Sequence, residues 1–170
     1  MKTRKMKIAG IIIIACLFVL DLVSKMIVLV AAGGAPLWGN YTELFPRFMH
    51  LASLGGHFNI ILVWNTGVSF SIFAGLGEFA RWGLVALSLV IIGFICKMMK
   101  DSDETTDIVG FSMIVGGALG NVLDRVRYGA VIDFIDFHVG GFHWPAFNFA
   151  DASICLGVAV LIWRQVFRSK

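Results

Sequence analysis

The stretch IAGIIIIACLFVLDLVSKMIVLVAA, residues Ile8–Ala32, decides the fold class of this chain. It is almost wholly apolar, and its only charged residues are Asp21 and Lys25. A helix of roughly 20 apolar residues crosses the hydrocarbon core of a bilayer. The stretch therefore predicts a transmembrane helix that carries two charges.

The composition of the whole chain agrees with a membrane protein. Of the 170 residues, 58% are hydrophobic and 15% are charged, and the mean hydropathy is +0.86. Soluble domains usually carry about a quarter charged residues. We expect one integral membrane domain over residues 1–170. The net charge of +3 is small, and the sequence has no basic stripe with interleaved aromatic residues, so a nucleic-acid partner is not expected.

Three more apolar stretches approach the length of a membrane span. They cover about Phe79–Cys96, Ile108–Leu123 and Ala150–Val166. Between the first two spans, HFNIILVWNTGVSFSIF (His57–Phe73) alternates loosely between apolar and polar residues, which predicts a strand or irregular sheet at the membrane surface. The predicted fold is mainly α, with four transmembrane helices and a small platform that contains β-structure.

Lysine and arginine predict the orientation of the spans. They cluster at the N-terminus, in the loop after the second span and at the C-terminus (Lys2, Arg4, Lys5, Lys7; Lys97, Lys100; Arg164, Arg168, Lys170). Basic loops stay on the cytoplasmic side. Both termini are then cytoplasmic, and about Gly33–Glu78 and Asp124–Phe149 face outward. An aromatic belt is predicted near the outer boundaries, formed by Trp38, Trp64, Trp82 and Trp144.

The N-terminus also allows a second interpretation. Basic residues before an apolar run resemble a signal peptide, and IIAC (Ile13–Cys16) matches the pattern at which bacterial lipoproteins are cut. The apolar run continues far beyond Cys16, however, whereas a lipoprotein would normally turn polar there. We therefore expect the segment to remain as a spanning helix.

Polar residues recur at one depth of the predicted spans. Asp21 and Lys25 are four residues apart and share a helix face, either as a mutual ion pair or as part of an active site. At about 1.5 Å per residue, several further residues reach the same outer third of the membrane. The layer consists of Asp21, Asn121, Asp124, Asp133, Asn148 and Asp151. A shared depth across separate segments predicts one polar site, although Asp124 and Arg125 could also form a simple interfacial ion pair.

The chemistry of this layer is dominated by carboxylates. The sequence has no HExxH, serine-elbow or phosphate-loop motif. The four histidines (His50, His57, His138 and His143) lie in the outward segments and are predicted to be surface or interface residues. Two carboxylates held close together share a proton, so that one can activate water while the other donates a proton. This is the chemistry of an aspartic peptidase without a metal.

Two other interpretations remain open at this point. A membrane transferase could hold Mg²⁺ with Asp124, Asp133, Asp136 and Asp151, because that ion prefers oxygen ligands. An ion-coupled transporter or proton carrier would also use carboxylates inside the membrane. If the segment around Asp133 is extended, Asp136 points elsewhere and is not the catalytic partner of Asp133.

Five stretches together resemble the signal peptidase II family of intramembrane aspartic peptidases. They are DLVSK (Asp21–Lys25), NTGVSF (Asn65–Phe70), GGALGNVLDR (Gly116–Arg125), VIDFIDF (Val131–Phe137) and PAFNFADASI (Pro145–Ile154). They run from the first predicted helix to the last. The resemblance implies an enzyme of the bacterial cytoplasmic (inner) membrane that removes signal peptides from prolipoproteins, cutting just before a diacylglyceryl-modified cysteine.

The same resemblance implies roles for individual residues. Asp133 and Asp151 would be the catalytic pair, and Gly33–Phe73 would form the outer platform with a flap over the substrate. The residues implied to bind substrate or support the site are Asp21, Lys25, Asn65, Gly67, Asn121, Asp124, Arg125 and Asn148. The expected partners are the prolipoprotein, membrane lipid and a globomycin-type inhibitor. No metal or other cofactor is expected, and a monomer would suffice.

Overall fold

The computed structural model of the chain describes residues 2–34, 36–40, 45–67 and 77–168. Within these ranges the chain forms long helices and short antiparallel strands. In order, the elements are α1 (Lys2–Ala31), β1 (Phe48–Ser53), β2 (Phe58–Asn65), α2 (Gly77–Asp101), α3 (Thr105–Tyr128), β3 (Val131–Val139), β4 (Phe142–His143) and α4 (Phe149–Arg168). The predicted fold class, mainly α with a small sheet, is confirmed.

All four helices are long and apolar enough to cross a membrane. The chain is an integral membrane protein. The helices extend beyond the predicted spans, most clearly at the end of α3, which continues from Leu123 to Tyr128. A prediction from apolarity alone ends this helix at Leu123. The helix continues because its polar residues Asn121 and Asp124 are buried with partners inside the protein.

The chain divides into two compact units, which are described separately. The first comprises Met1–Asp21, Leu87–Gly120 and Phe149–Lys170. The second comprises Leu22–Ala86 and Asn121–Asn148. The helices α1, α2 and α3 each contribute residues to both units.

Glycines bring the helices of the first unit close together. A Cβ atom at Gly116 would lie 3.0 Å from the carbonyl oxygen of Ile14 in α1. At Gly157 in α4, a Cβ would lie 2.7 Å from the carbonyl oxygen of Gly110 in α3. Only glycine allows such a close approach of helix backbones. The interpretation of the Gly116–Gly120 spacing as a packing motif is confirmed.

A partly buried ion pair joins the first turn of α3 to the later part of α4. The Arg164 Nη1 atom donates to Oδ1 of Asp107, and the Ser102 hydroxyl donates to Oδ2 of Asp107 at 2.8 Å. Asp107 is buried in the first turn of α3. Arg164 interrupts the apolar sequence of the last span, and this contact explains how its charge is accommodated.

Replacing Arg164 by Leu should lower the free energy of unfolding by about 1–3 kcal/mol. The value is below the cost of breaking a fully buried pair, because the Arg164 side chain is 27% exposed. Thermal unfolding in detergent would measure the change. Asp103→Asn, which removes a charge from an exposed loop position, should have no effect. An Arg164→Leu variant as stable as the parent would contradict a stabilising pair.

The second unit contains the sheet, whose strands run antiparallel in the order β1-β2-β3-β4. Gly55 and Gly56 both have positive φ (83° and 61°) in the turn between β1 and β2. Such angles are strained for other residues. The prediction of a strand in His57–Phe73 is confirmed for β2. Residues 68–73 of this stretch lie outside the described residues. Residues 35 and 41–44 of the range Gly33–Phe73, in which the platform and flap are expected, also lie outside them.

The core of the second unit lies between the sheet and the neighbouring helix segments. Leu29 of α1 packs with Leu62 and Trp64 of β2 and with Tyr128 of α3. The rings of Trp64 and Tyr128 meet edge to face, with their centroids 5.6 Å apart. The assignment of Trp64 to an aromatic belt is therefore wrong, because its side chain is buried in the protein. Trp38, Trp82 and Trp144 are exposed, as a belt requires.

Candidate functional site

Asp133 is a buried carboxylate held by two amide side chains. It lies in β3 and is 2% exposed. Asn148 Nδ2 donates to Oδ1 of Asp133 at 2.8 Å, and Asn65 Nδ2 donates to Oδ2 at 2.9 Å. The two donors come from the segment before α4 and from the last residue of β2. The orientation of this carboxylate is therefore fixed from two directions.

A tight turn after β2 orients Asn65. The Asn65 Oδ1 atom accepts a hydrogen bond from the backbone N–H of Gly67 at 2.8 Å, as in an Asx turn. Gly67 has a φ of 74°, and a Cβ atom there would lie 2.6 Å from Cδ1 of Leu84. Glycine is therefore favoured by the backbone conformation, and any other residue would also displace the end of the Leu84 side chain. The NTG motif thus turns the Asn65 amide toward Asp133.

A buried lysine connects the same amides to a second carboxylate. Lys25 Nζ lies 2.8 Å from Oδ2 of Asp124 and donates to Oδ1 of Asn121 at 3.1 Å. Asn148 Nδ2 donates to that same Asn121 oxygen at 3.2 Å. A chain of polar contacts therefore runs from Lys25 through Asn121 and Asn148 to Asp133. Buried polar groups of this kind need such partners.

The end of α3 is fixed to its surroundings by backbone contacts. Asp124 Oδ2 accepts from the N–H of Ile132 at 3.2 Å, which ties α3 to the start of β3. Arg81 donates from Nε to the carbonyl of Arg125 at 2.7 Å and from Nη2 to that of Val126 at 2.8 Å. These carbonyls lie in the last turn of α3, where carbonyl groups lack partners within the helix. No pattern in the amino-acid sequence indicates this role of Arg81.

In the first unit, Asp21 accepts a hydrogen bond from the beginning of α4. Asp21 Oδ1 lies 2.9 Å from the backbone nitrogen of Ala150. A carboxylate at a helix N-terminus satisfies one of the free N–H groups and is favoured by the helix dipole. A Cβ atom at Gly120 would collide with the Asp21 carboxyl, so glycine leaves room for it. Asp151 is in the same first turn of α4 and is partly exposed.

Asp136 belongs to a different set of contacts from Asp133. Asn59 Nδ2 donates to Asp136 Oδ2 at 2.8 Å, and His143 Nδ1 lies 2.8 Å from Oδ1. Burial would raise the pKa of Asp136, but the hydrogen bonds from Asn59 and His143 outweigh it, so the pKa lies below its usual value. Sequence reasoning missed Asn59. The scarcity of asparagine in strands was the available signal.

Among the residues that the structure describes, the carboxylates do not form a metal site. Across residues 2–34, 36–40, 45–67 and 77–168, no three His, Cys, Asp or Glu side chains are placed to hold an ion together. Asp124, Asp133 and Asp136 are engaged by lysine, asparagine and histidine instead. These partners disfavour the magnesium interpretation.

Comparison with known proteins identifies the family. A family model described as "Signal peptidase (SPase) II" matches residues 13–167. A lipoprotein signal peptidase of Azoarcus sp. (strain BH72) is 36% identical over 94% of this chain and 84% of its own length. One from Paraburkholderia phymatum is 45% identical over 65% of this chain and 68% of its own.

Two solved structures share the fold of this chain. A bacterial membrane enzyme determined by the in meso method at 2.3 Å resolution has a TM-score of 0.68 and 26% identity, covering 95% of this chain and 90% of its own. A second, at 1.9 Å, has the same TM-score and 27% identity, covering 94% and 93%. The chain belongs to the signal peptidase II family, whose members are proteases that process the signal peptides of lipoproteins.

Proposed function

We propose that the chain is an aspartic endopeptidase that cuts diacylglyceryl-modified prolipoproteins just before the lipidated cysteine. The carboxylates of Asp133 and Asp151 are its catalytic pair, and no metal or other cofactor takes part. Residues 1–170 form a single peptidase domain, since three of the four helices contribute to both compact units.

The observation that carries this proposal is the environment of Asp133. A carboxylate is costly to bury at membrane depth and is usually functional there. Asp133 is buried, and both its oxygens accept from amides whose own positions are fixed by Gly67 and Asn121. A rigidly oriented carboxylate suits a group that must meet a water molecule and a peptide carbonyl in one geometry.

Chain continuity supports Asp151 as the partner. Asp151 follows Asn148 by three residues, so their Cα atoms are at most roughly 10 Å apart, and Asn148 contacts Asp133 directly. Asp21 fixes the first turn of the helix that carries Asp151. Two neighbouring carboxylates in a poorly solvated place share one proton.

In the reaction, both carboxyl groups transfer protons. The ionised carboxylate takes a proton from water, and the resulting hydroxide adds to the scissile carbonyl carbon while the protonated carboxyl gives its proton to the carbonyl oxygen. Collapse of the tetrahedral intermediate breaks the C–N bond. The leaving nitrogen of the cysteine takes the proton that the first carboxylate received from water, and the second carboxylate regains its proton from the intermediate's hydroxyl group. The products are a signal peptide with a free carboxylate and a lipoprotein with a free amine.

The proposed location is the bacterial cytoplasmic membrane, with both termini inside and the active site toward the outer face. The basic residues support this orientation, because those of the N-terminus and of the last turns of α2 both belong to the first unit. Lys7 Nζ donates to the carbonyl of Lys100 at 2.5 Å. Prolipoprotein and lipid are the proposed partners, a globomycin-type inhibitor would occupy the substrate site, and a monomer is sufficient.

Cleavage of a purified, diacylglyceryl-modified prolipoprotein in detergent with excess EDTA tests the proposal. We expect full activity. The same protein without its lipid should be cleaved at least about 100-fold more slowly, because binding of remote parts of a substrate lowers the barrier of the reaction. Loss of activity with EDTA, restored by Mg²⁺, would favour the transferase-like metal site. Proton or solute flux in liposomes without any cleavage would favour the carrier.

A further inference from the structure

Arg81 joins the beginning of α2 to the end of α3. Its guanidinium donates from Nε to the carbonyl of Arg125 at 2.7 Å and from Nη2 to the carbonyl of Val126 at 2.8 Å. Both carbonyls belong to the last turn of α3, where carbonyl groups lack partners within the helix. The N–H of Gly129, just beyond the helix, shares the carbonyl of Arg125. Arg81 therefore caps α3 from another helix, and its charge suits the negative end of the helix dipole.

The shape of the guanidinium matters for this contact. Arginine holds several N–H donors in one rigid plane, whereas the three donors of a lysine share a single nitrogen. Arg81 can thus hold the carbonyls of two successive residues in a fixed geometry. Its Nη1 atom lies 3.3 Å from Oε1 of Glu78, but the Glu78 side chain is 78% exposed. Because an exposed pair of this kind contributes little, the two carbonyl contacts define the position of Arg81.

The capped end of α3 supports Asp133 through the backbone. Asp124, the residue before Arg125, accepts at Oδ2 a hydrogen bond from the N–H of Ile132 at 3.2 Å. Ile132 directly precedes Asp133 in β3. A shift of the last turn of α3 would therefore move the start of β3, and the Asp133 carboxylate would move with it.

The same part of α2 also contacts the turn after β2. Leu84 follows Arg81 by three residues and so lies on the same face of α2. A Cβ atom at Gly67 would lie 2.6 Å from Cδ1 of Leu84 and 3.5 Å from Nη2 of Arg125. The turn is therefore flanked by α2 and by a side chain from the last turn of α3. This turn orients the amide that donates to Asp133.

We propose that Arg81 is a positioning residue for the peptidase reaction, which acts on Asp133 through the end of α3 and not by contact with the substrate. The inference rests on the proposed function, in which Asp133 is catalytic. Loss of the two carbonyl contacts would loosen both the backbone contact at Ile132 and the turn after β2. A misplacement of about 1 Å at a reacting group can slow a reaction by roughly 100-fold. A partial loss of positioning should therefore lower kcat by about 10- to 30-fold.

Three variants test this role when kcat and KM for a lipidated prolipoprotein are measured separately, well below the unfolding temperature of each variant. We expect Arg81→Gln to lower kcat by about 10- to 30-fold and to change KM by less than about threefold. Arg81→Lys should stay within about threefold of Arg81→Gln, because it keeps the charge but not the planar fork. Glu78→Gln is the matched control and should retain the parent kcat, because it alters only the exposed contact.

The outcomes separate positioning from stability and from the peptidase assignment. If Arg81→Gln does not fold, Arg81→Lys replaces it in the test, because lysine keeps a long stem and the charge. Folded Arg81 variants that lose stability but keep the parent kcat would overturn the positioning role. Full recovery of kcat in Arg81→Lys, or an equal loss in Glu78→Gln, would overturn the role of the two carbonyl contacts. Failure of the proposed function is recognised separately, because Asp133→Asn would then keep its activity in the same assay.

Discussion

Asp133→Asn and Asp151→Asn should each lower kcat/KM for a lipidated prolipoprotein by at least about 10³-fold. Each change keeps the size of the side chain but removes the group that exchanges a proton with water or with the leaving nitrogen. Losses of this order follow when a member of a catalytic unit is removed. Because the two carboxylates act as one unit, the double variant should be at most a few-fold slower than the slower of the two single variants.

Folding must be separated from chemistry in this comparison. In Asp133→Asn, one oxygen can still accept from Asn65 or Asn148, but the new NH₂ group faces the other donor. Thermal unfolding in detergent should therefore be recorded beside activity, with Asp103→Asn as the matched charge-removal control. If either folded variant retained more than about a tenth of the parent activity, the proposed pair would be wrong.

The four helices could be predicted because a bilayer imposes a simple requirement on the chain. About 20 apolar residues are needed whatever the rest of the fold does. The ends of the helices were harder to predict. The predicted span ends at Leu123, just before Asp124, although α3 continues to Tyr128. The helix can continue because Lys25 pairs with Asp124 inside the protein.

The residues of the polar network could be predicted from the sequence, but the pairs that they form could not. The depth of Asp21, Asn121 and Asp124 follows from their position in a helix. Lys25 contacts Asp124, and Asp21 binds the N–H of Ala150. These pairings depend on how helices from distant parts of the sequence pack together. The same reason explains the error at Trp64. Its aromatic character suits an interface equally well, and only the sheet packing buries it.

Lys25→Met should be the most destabilising substitution in the network, lowering the free energy of unfolding by about 3–5 kcal/mol. The Lys25 and Asp124 side chains are only 2% and 3% exposed. Removing the Lys25 cation leaves the Asp124 carboxylate buried without this attraction. Breaking a buried ion pair in this way is strongly destabilising. Methionine keeps most of the apolar stem, so the loss of packing is small. Unfolding in detergent with increasing denaturant would give the change.

The double variant Lys25→Met/Asp124→Asn separates charge from packing. Because it removes both charges, we expect it to recover at least about half of the lost stability, since neutral replacements of a buried pair are often tolerated. Its activity should stay reduced, because the Nζ donor to Asn121 is gone and the Asn148 amide that holds Asp133 shares that acceptor. A double variant less stable than Lys25→Met would show that the cation is not what stabilises Asp124. Full activity in the double variant would show that Asp133 is positioned without the Lys25 chain of contacts.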